Sequence, residues 1–167
     1  MKYAGLMKND VVNGEGVCVS FWTQGCPHKC PGCFNPETWD YNGGMDIPKD
    51  IEEQILDAIP ANGIQRNFSI LGGEPLCPEN RILVEQLCFI VKKTFPTIKI
   101  FIWTGYEFND IKKISSTDFL VSSILEKSDV MITGPFVKEK KDLTLKLRGS
   151  SNQQIWRKID NKWIEVY

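Results

Sequence analysis

The sequence predicts an α/β protein built on a parallel sheet, because short apolar strands alternate with helical segments along the chain. Four β-branched and aromatic runs indicate strands, and each ends at a glycine motif or a cysteine loop. Such alternation is typical of βαβ units, and 167 residues fit one domain with a single core. The predicted strands are residues 17–23, 67–71, 98–103 and 129–133, with two short candidates near 153–158 and 162–166.

Helical spacing of apolar residues predicts the segments between these strands. A first helix follows Asp50 and runs through residues 51–59. A second spans residues 78–94, and residues 111–126 are expected to be helical in part. Because sites in parallel sheets lie beyond the carboxyl ends of the strands, the motifs that follow the four strands should meet at one edge. These motifs are the cysteine loop, Gly72-Gly73, Thr104-Gly105 and Gly134-Pro135.

Composition excludes several classes of function. Hydrophobic residues make up 42% of the chain and the net charge is −1, which argues against a general nucleic-acid or membrane-surface binder. No stretch approaches the roughly 18–20 apolar residues of a membrane span, and the N-terminus lacks a signal-peptide core. We therefore expect a cytoplasmic protein. A basic C-terminal segment, residues 137–167, carries eight Lys or Arg and four Asp or Glu, either as a solvated face or as an anion-binding or partner-docking edge.

The strongest chemical signal is a C-x3-C-x2-C run formed by Cys26, Cys30 and Cys33. A closed zinc site takes four protein ligands, and an ordinary iron–sulfur cluster is held by four cysteines. Three clustered thiolates therefore favour a redox iron–sulfur centre with one open position. The alternative is a zinc knuckle completed by His28 or by a distant cysteine.

A second signal is Gly72-Gly73-Glu74, which follows the predicted strand at residues 67–71. Two glycines let a ligand approach the backbone closely, and the carboxylate could accept a hydrogen bond from an ammonium group. The alternative is a plain strand-to-helix turn in which Glu74 favours the helix N-terminus.

Together these motifs resemble the radical S-adenosylmethionine (radical SAM) superfamily, and more closely the activating proteins of anaerobic (class III) ribonucleotide reductases. The resemblance implies an incomplete, open parallel β/α barrel of the radical SAM type. It also implies one domain over residues 1–167, with a cluster loop at 24–39. The segments that carry the resemblance are residues 13–16, 24–39, 71–75, 103–106, 134–136 and 148–153.

The resemblance further implies a mechanism. Cys26, Cys30 and Cys33 would hold three irons of a [4Fe–4S] cluster, and S-adenosylmethionine would bind the fourth. One electron would cleave the cofactor to methionine and a 5′-deoxyadenosyl radical. That radical would take hydrogen from a glycine of the large reductase subunit and leave a glycyl radical. A low-potential flavodoxin or ferredoxin would supply the electron.

Specific cofactor contacts also follow from the resemblance. Gly72, Gly73 and Glu74 would receive the methionine ammonium, and Gly32 and Phe34 would flank the adenosyl part. The full set is Gly32, Cys33, Phe34, Gly72, Gly73, Glu74 and Thr104, although Thr104 could equally be a strand-end cap.

Some positions depart from the family pattern or keep more than one interpretation. Thr133 stands where an acidic residue is usual, and Glu15 and Cys18 replace a common proline and arginine. Arg148, in a polar cluster with residues 150–152, could pair with the cofactor carboxylate or dock the partner. Two other functions compete: a small radical SAM enzyme acting on a small molecule, and an interaction module that holds zinc or a cluster.

Overall fold

The computed structural model describes residues 1–167, and a single eight-stranded sheet organises them. The four apolar strands and both C-terminal candidates predicted from the sequence are confirmed. Two strands near the N-terminus were not predicted. The strands are β1 (Lys2–Asp10), β2 (Cys18–Thr23), β3 (Met45–Asp46), β4 (Asn67–Gly72), β5 (Ile100–Trp103), β6 (Val130–Thr133), β7 (Gln154–Ile159) and β8 (Lys162–Glu165).

Four α-helices accompany the sheet, and the partly helical stretch divides into two of them. The division falls at Asp118, whose carboxylate accepts a hydrogen bond from Val121 N (3.1 Å) and caps the fourth helix. No helix is both long and apolar enough to cross a membrane. The helices are α1 (Ile51–Ala58), α2 (Arg81–Thr94), α3 (Phe108–Ser115) and α4 (Phe119–Lys127).

The predicted open parallel β/α barrel is wrong, because the sheet is mixed and has antiparallel strands at both sides. The strand order is β3-β1-β2-β4-β5-β6-β7-β8. Only β2, β4, β5 and β6 run parallel to one another. β1 and β3 extend one side through antiparallel pairing, and the β7–β8 hairpin extends the other. Antiparallel neighbours can be joined without a crossover helix, which is why the chain has eight strands but only four α-helices.

The two faces of the sheet differ because side chains alternate along each strand. All four helices pack on one face, where Val19, Phe21 and Ile70 belong to a core cluster of 24 buried residues. This arrangement follows from right-handed crossovers between strands taken in spatial order. The opposite face presents Trp22 and Trp103 to a cavity that loops cover.

Candidate functional site

The loop that carries the three cysteines leaves β2 and closes on itself through main-chain hydrogen bonds. Gly25 N donates to Thr38 O (2.8 Å), and Cys26 N donates to Trp39 O (3.1 Å). A side chain at Gly25 would overlap the ring of Tyr41. These contacts therefore fix the base of the loop from which the three cysteines extend.

Cys26, Cys30 and Cys33 are half-buried free thiols that line one cavity of about 600 Å³. Burial raises the pKa of the Cys26 and Cys30 thiols. The thiolate is the form that binds metal, so a metal bound here would have to displace their protons. The three remaining cysteines are buried outside this cavity: Cys18, Cys77 and Cys88.

Three thiols are the type of donor that holds an iron–sulfur cluster. No group of three or more His, Cys, Asp or Glu side chains lies close enough together to bind one metal ion. In a cluster each cysteine binds a different iron, so the thiols need not converge on one point. His28, the candidate fourth zinc ligand, directs Nε2 to Glu74 Oε2 at 2.9 Å.

Gly72 and Gly73 bring the end of β4 against the cysteine loop. Gly72 has a φ of +102°, and a Cβ there would lie 2.8 Å from the Thr23 carbonyl oxygen. Gly73 N donates to the same oxygen (2.8 Å), and a side chain on Gly73 would overlap the main chain of Gly25. The Gly73 carbonyl accepts no hydrogen bond from the protein, and the residue lines the cavity. The carbonyl oxygen is therefore an unused acceptor on a residue that lines the cavity.

Glu74 is only 1% exposed, and protein donors fill its carboxylate. Oε1 accepts hydrogen bonds from Leu76 N (2.8 Å) and Thr104 Oγ1 (2.7 Å). Oε2 accepts from Gly105 N (2.7 Å) and from the His28 ring (2.9 Å). Two bonds to each oxygen occupy the acceptor capacity of a carboxylate. Glu74 thus joins the cysteine loop to the loops that follow β4 and β5.

Of the other candidate positions, Phe34, Thr104 and Arg148 lie around the same cavity, whereas Gly32 and Thr133 do not. Phe34 lines the cavity and is 51% exposed, and Arg148 lines it as well. Gly32 lies outside the lining, beside the Lys138 side chain. Thr133 is fully buried, and its hydroxyl has no hydrogen-bond partner.

Sequence reasoning missed the wall formed by residues 138–148, here called the covering loop. Trp103 Nε1 donates to Leu147 O (2.8 Å) and holds this loop over the helix-free face of the sheet. The available signal was a leucine at every second position, which turns three apolar side chains toward one side. Those side chains line the cavity: Leu143, Leu145 and Leu147.

Comparisons with known proteins give one consistent result. Residues 12–156 match the model of a family described as "4Fe-4S single cluster domain". The chain is 37% identical to a protein of Enterobacteria phage T4 over 98% of each chain. It is 35% identical to a Pasteurella multocida protein over 94% of this chain and 98% of the relative. An Escherichia coli K12 relative is 33% identical over 93% of this chain and 97% of its own. Each relative is named "Anaerobic ribonucleoside-triphosphate reductase-activating protein".

Proposed function

Because this chain belongs to the family of anaerobic ribonucleoside-triphosphate reductase-activating proteins, we propose that it installs a glycyl radical on the large subunit of that reductase. The carrying observation is that Cys26, Cys30 and Cys33 line one cavity together with Gly72, Gly73 and Glu74. We assign this cavity to a [4Fe–4S] cluster and S-adenosylmethionine.

Cys26, Cys30 and Cys33 would hold the cluster through their thiolates, with S-adenosylmethionine bound beside it. When bound, the reduced cluster would supply the single electron that cleaves S-adenosylmethionine to methionine and a 5′-deoxyadenosyl radical, and this radical would take a hydrogen atom from the target glycine to give 5′-deoxyadenosine. The chain's own residues bind and orient these groups. The free carbonyl of Gly73 would accept a hydrogen bond from the methionine ammonium. Gly72, where a side chain would overlap the Thr23 main chain, keeps this end of β4 beside the cysteine loop, where it can take part in the same contact.

Contacts along the cavity wall position the adenosyl part. Phe34 offers an apolar ring, packed against Phe136 with centroids 5.1 Å apart. Gly32, which lies outside the lining beside Lys138, gives the turn before Cys33 its φ of +75° and so shapes the loop that carries Phe34. Thr104 and Glu74 contribute by ordering the loops around the cofactor, since their side chains bond to each other at 2.7 Å.

The rim of the cavity favours a protein substrate over a small molecule. Val12 is 75% exposed and Leu143 is 74% exposed, and both line the cavity from different loops. Phe34 adds a third exposed apolar side chain, and the Lys141 ammonium lies 5.1 Å from its ring centroid. Exposed apolar groups at a cavity mouth typically mark a binding surface for a protein or another ligand. A glycine-bearing segment of the reductase could therefore reach the cavity through this mouth.

The direct test combines the anaerobically reconstituted protein with S-adenosylmethionine, dithionite and the reductase large subunit. We expect a glycyl radical signal by electron paramagnetic resonance (EPR) and formation of 5′-deoxyadenosine. Reduced flavodoxin or ferredoxin should replace dithionite as the electron donor. Absence of the radical signal while the cluster spectrum is intact would refute the proposal. Cofactor cleavage stimulated by a metabolite instead of the reductase would favour a small-molecule enzyme.

A further inference from the structure

We infer that the hydrogen bond between His28 and Glu74, here called the latch, positions the cysteine loop. Glu74 is then a positioning residue that supports the cluster site through His28. The inference rests on the proposed cluster at Cys26, Cys30 and Cys33. It assigns a role to His28, which lies between the first two cysteines and is held by residues that follow β4 and β5.

The His28 ring is fixed on several sides. Its Nε2 lies 2.9 Å from Glu74 Oε2, and because a carboxylate only accepts hydrogen bonds, the imidazole donates. The Tyr106 ring packs edge-on against it, with centroids 4.8 Å apart and an interplanar angle of 77°. A Cβ at Gly105 would lie 2.8 Å from His28 Nε2, so glycine is needed there to admit the ring.

Glu74, the second residue of the latch, is held by additional hydrogen bonds at its main chain. Glu74 N donates to Gly25 O (2.8 Å) at the base of the cysteine loop. Asn80 Nδ2 donates to both Glu74 O (2.9 Å) and Gln24 O (3.0 Å). Glu74 is therefore tied at its main chain to the base of the cysteine loop and at its carboxylate to the loop after β5.

The latch matters because the stretch between Cys26 and Cys30 has few other attachments. The amides of His28 and Lys29 contact the Cys26 sulfur within the same stretch, but no hydrogen bond joins the main chain of residues 27–29 to the main chain elsewhere. Main-chain bonds do hold Gly25, Cys26 and Cys33. The His28 side chain is the main link from this stretch to the body of the protein. Groups that orient metal ligands typically contribute about 10–100-fold to metal affinity. We expect a contribution of that size here.

The experiment measures how fast reconstituted full-length variants lose the cluster to an iron chelator, followed by visible absorbance without oxygen. His28→Ala and Glu74→Ala should each speed cluster loss by roughly 10–100-fold. Because the two residues share one contact, the double variant should be no worse than the poorer single variant. His28→Gln should restore slow loss, since its amide nitrogen can take the place of Nε2. EPR of the reduced cluster should likewise return to the parent spectrum in His28→Gln and remain altered in His28→Ala.

Lys29→Asn provides the matched control, because Lys29 is exposed in the same loop and its φ of +45° suits asparagine. The latch is overturned if His28→Ala keeps its cluster as long as this control, or if the two single effects add. It is also overturned if His28→Gln behaves like His28→Ala, which would make the imidazole a metal ligand. The His28 series decides the question even if Glu74→Ala fails to fold. None of these readouts uses the reductase, so failure of glycyl radical formation would count only against the proposed function.

Discussion

Glu15 joins the loop between β1 and β2 to three cations, and Glu15→Gln tests how strongly this ion cluster holds the covering loop. The carboxylate pairs with Arg157 of β7 through a charge-assisted hydrogen bond. It also lies 3.3 Å from Lys99 Nζ and 3.4 Å from Lys146 Nζ. Because Lys146 belongs to the covering loop, the cluster links that loop to the sheet.

The magnitude follows from the pKa of the carboxyl group. The hydrogen bond from Arg157 lowers the pKa of Glu15 from 4.5 to about 2. At about 1.36 kcal/mol per pKa unit, this difference sets an upper bound of roughly 3 kcal/mol. Salt and the partial exposure of the side chain reduce the effect. We therefore expect Glu15→Gln to lower the free energy of unfolding by about 1–2 kcal/mol at pH 7.

The sign of the pH dependence is fixed by a pKa that is lower in the folded state. The contribution of Glu15 is complete above the unfolded pKa of 4.5 and is lost as pH falls toward 2. The stability difference between parent and variant should fall to roughly 40% of its neutral value at pH 3.

Urea unfolding of the metal-free chains at pH 7 and pH 3 measures this difference. Glu139→Gln is the control, because Glu139 is exposed and forms no ion pair. An equal difference at both pH values, or an equal loss in the control, would contradict the reasoning.

Three further substitutions test the cavity. Cys30→Ala should abolish cluster binding, as measured by iron and sulfide analysis. Cys18→Ala is the control and should keep the cluster, because that thiol lies outside the cavity. Full cluster content in Cys30→Ala would disprove the ligand assignment. Gly73→Ala should prevent S-adenosylmethionine binding in an equilibrium assay, because the new methyl group overlaps the base of the cysteine loop. Gly5→Ala has open space and is its control, and equal affinities would count against the glycine role. Leu143→Asp should leave the cluster intact but weaken association with the reductase by about tenfold, the equivalent of about 1.4 kcal/mol, in a binding titration. Unchanged affinity would remove the covering loop from the docking surface.

The central strands could be predicted because β2, β4, β5 and β6 are continuous apolar runs, as strands buried on both faces tend to be. β1 could not, since its sequence mixes glycine and charged residues with scattered apolar ones. Its pairing with β2 is also irregular, with register shifts between Tyr3 and Gly5 and between Met7 and Asp10. Strand direction depends on such long-range pairing, which explains why the barrel prediction failed while the positions of the strands held.

Much of the candidate site could be anticipated from topology alone. The cysteine loop, Gly72-Gly73 and Thr104 follow neighbouring parallel strands, so one sheet edge had to bring them together. The covering loop could not be placed in this way. It follows β6 and turns back over the sheet, and the Trp103–Leu147 hydrogen bond that holds it joins residues distant in sequence.

At Glu74, the hydrogen-bond donors around the side chain indicate a structural role that the residue type alone does not predict. Beside two glycines, a carboxylate suggests a ligand contact, but burying one costs free energy unless hydrogen bonds replace the lost water. Here four protein donors do so, and they come from the cysteine loop, the Glu74 loop itself and the loop after β5. A buried charge satisfied by several loops holds those loops together, because moving any one of them leaves an unmet acceptor at a cost of about 1–3 kcal/mol. The same carboxylate therefore keeps the three loops aligned around the cavity, while the free carbonyl of Gly73 remains available to a ligand.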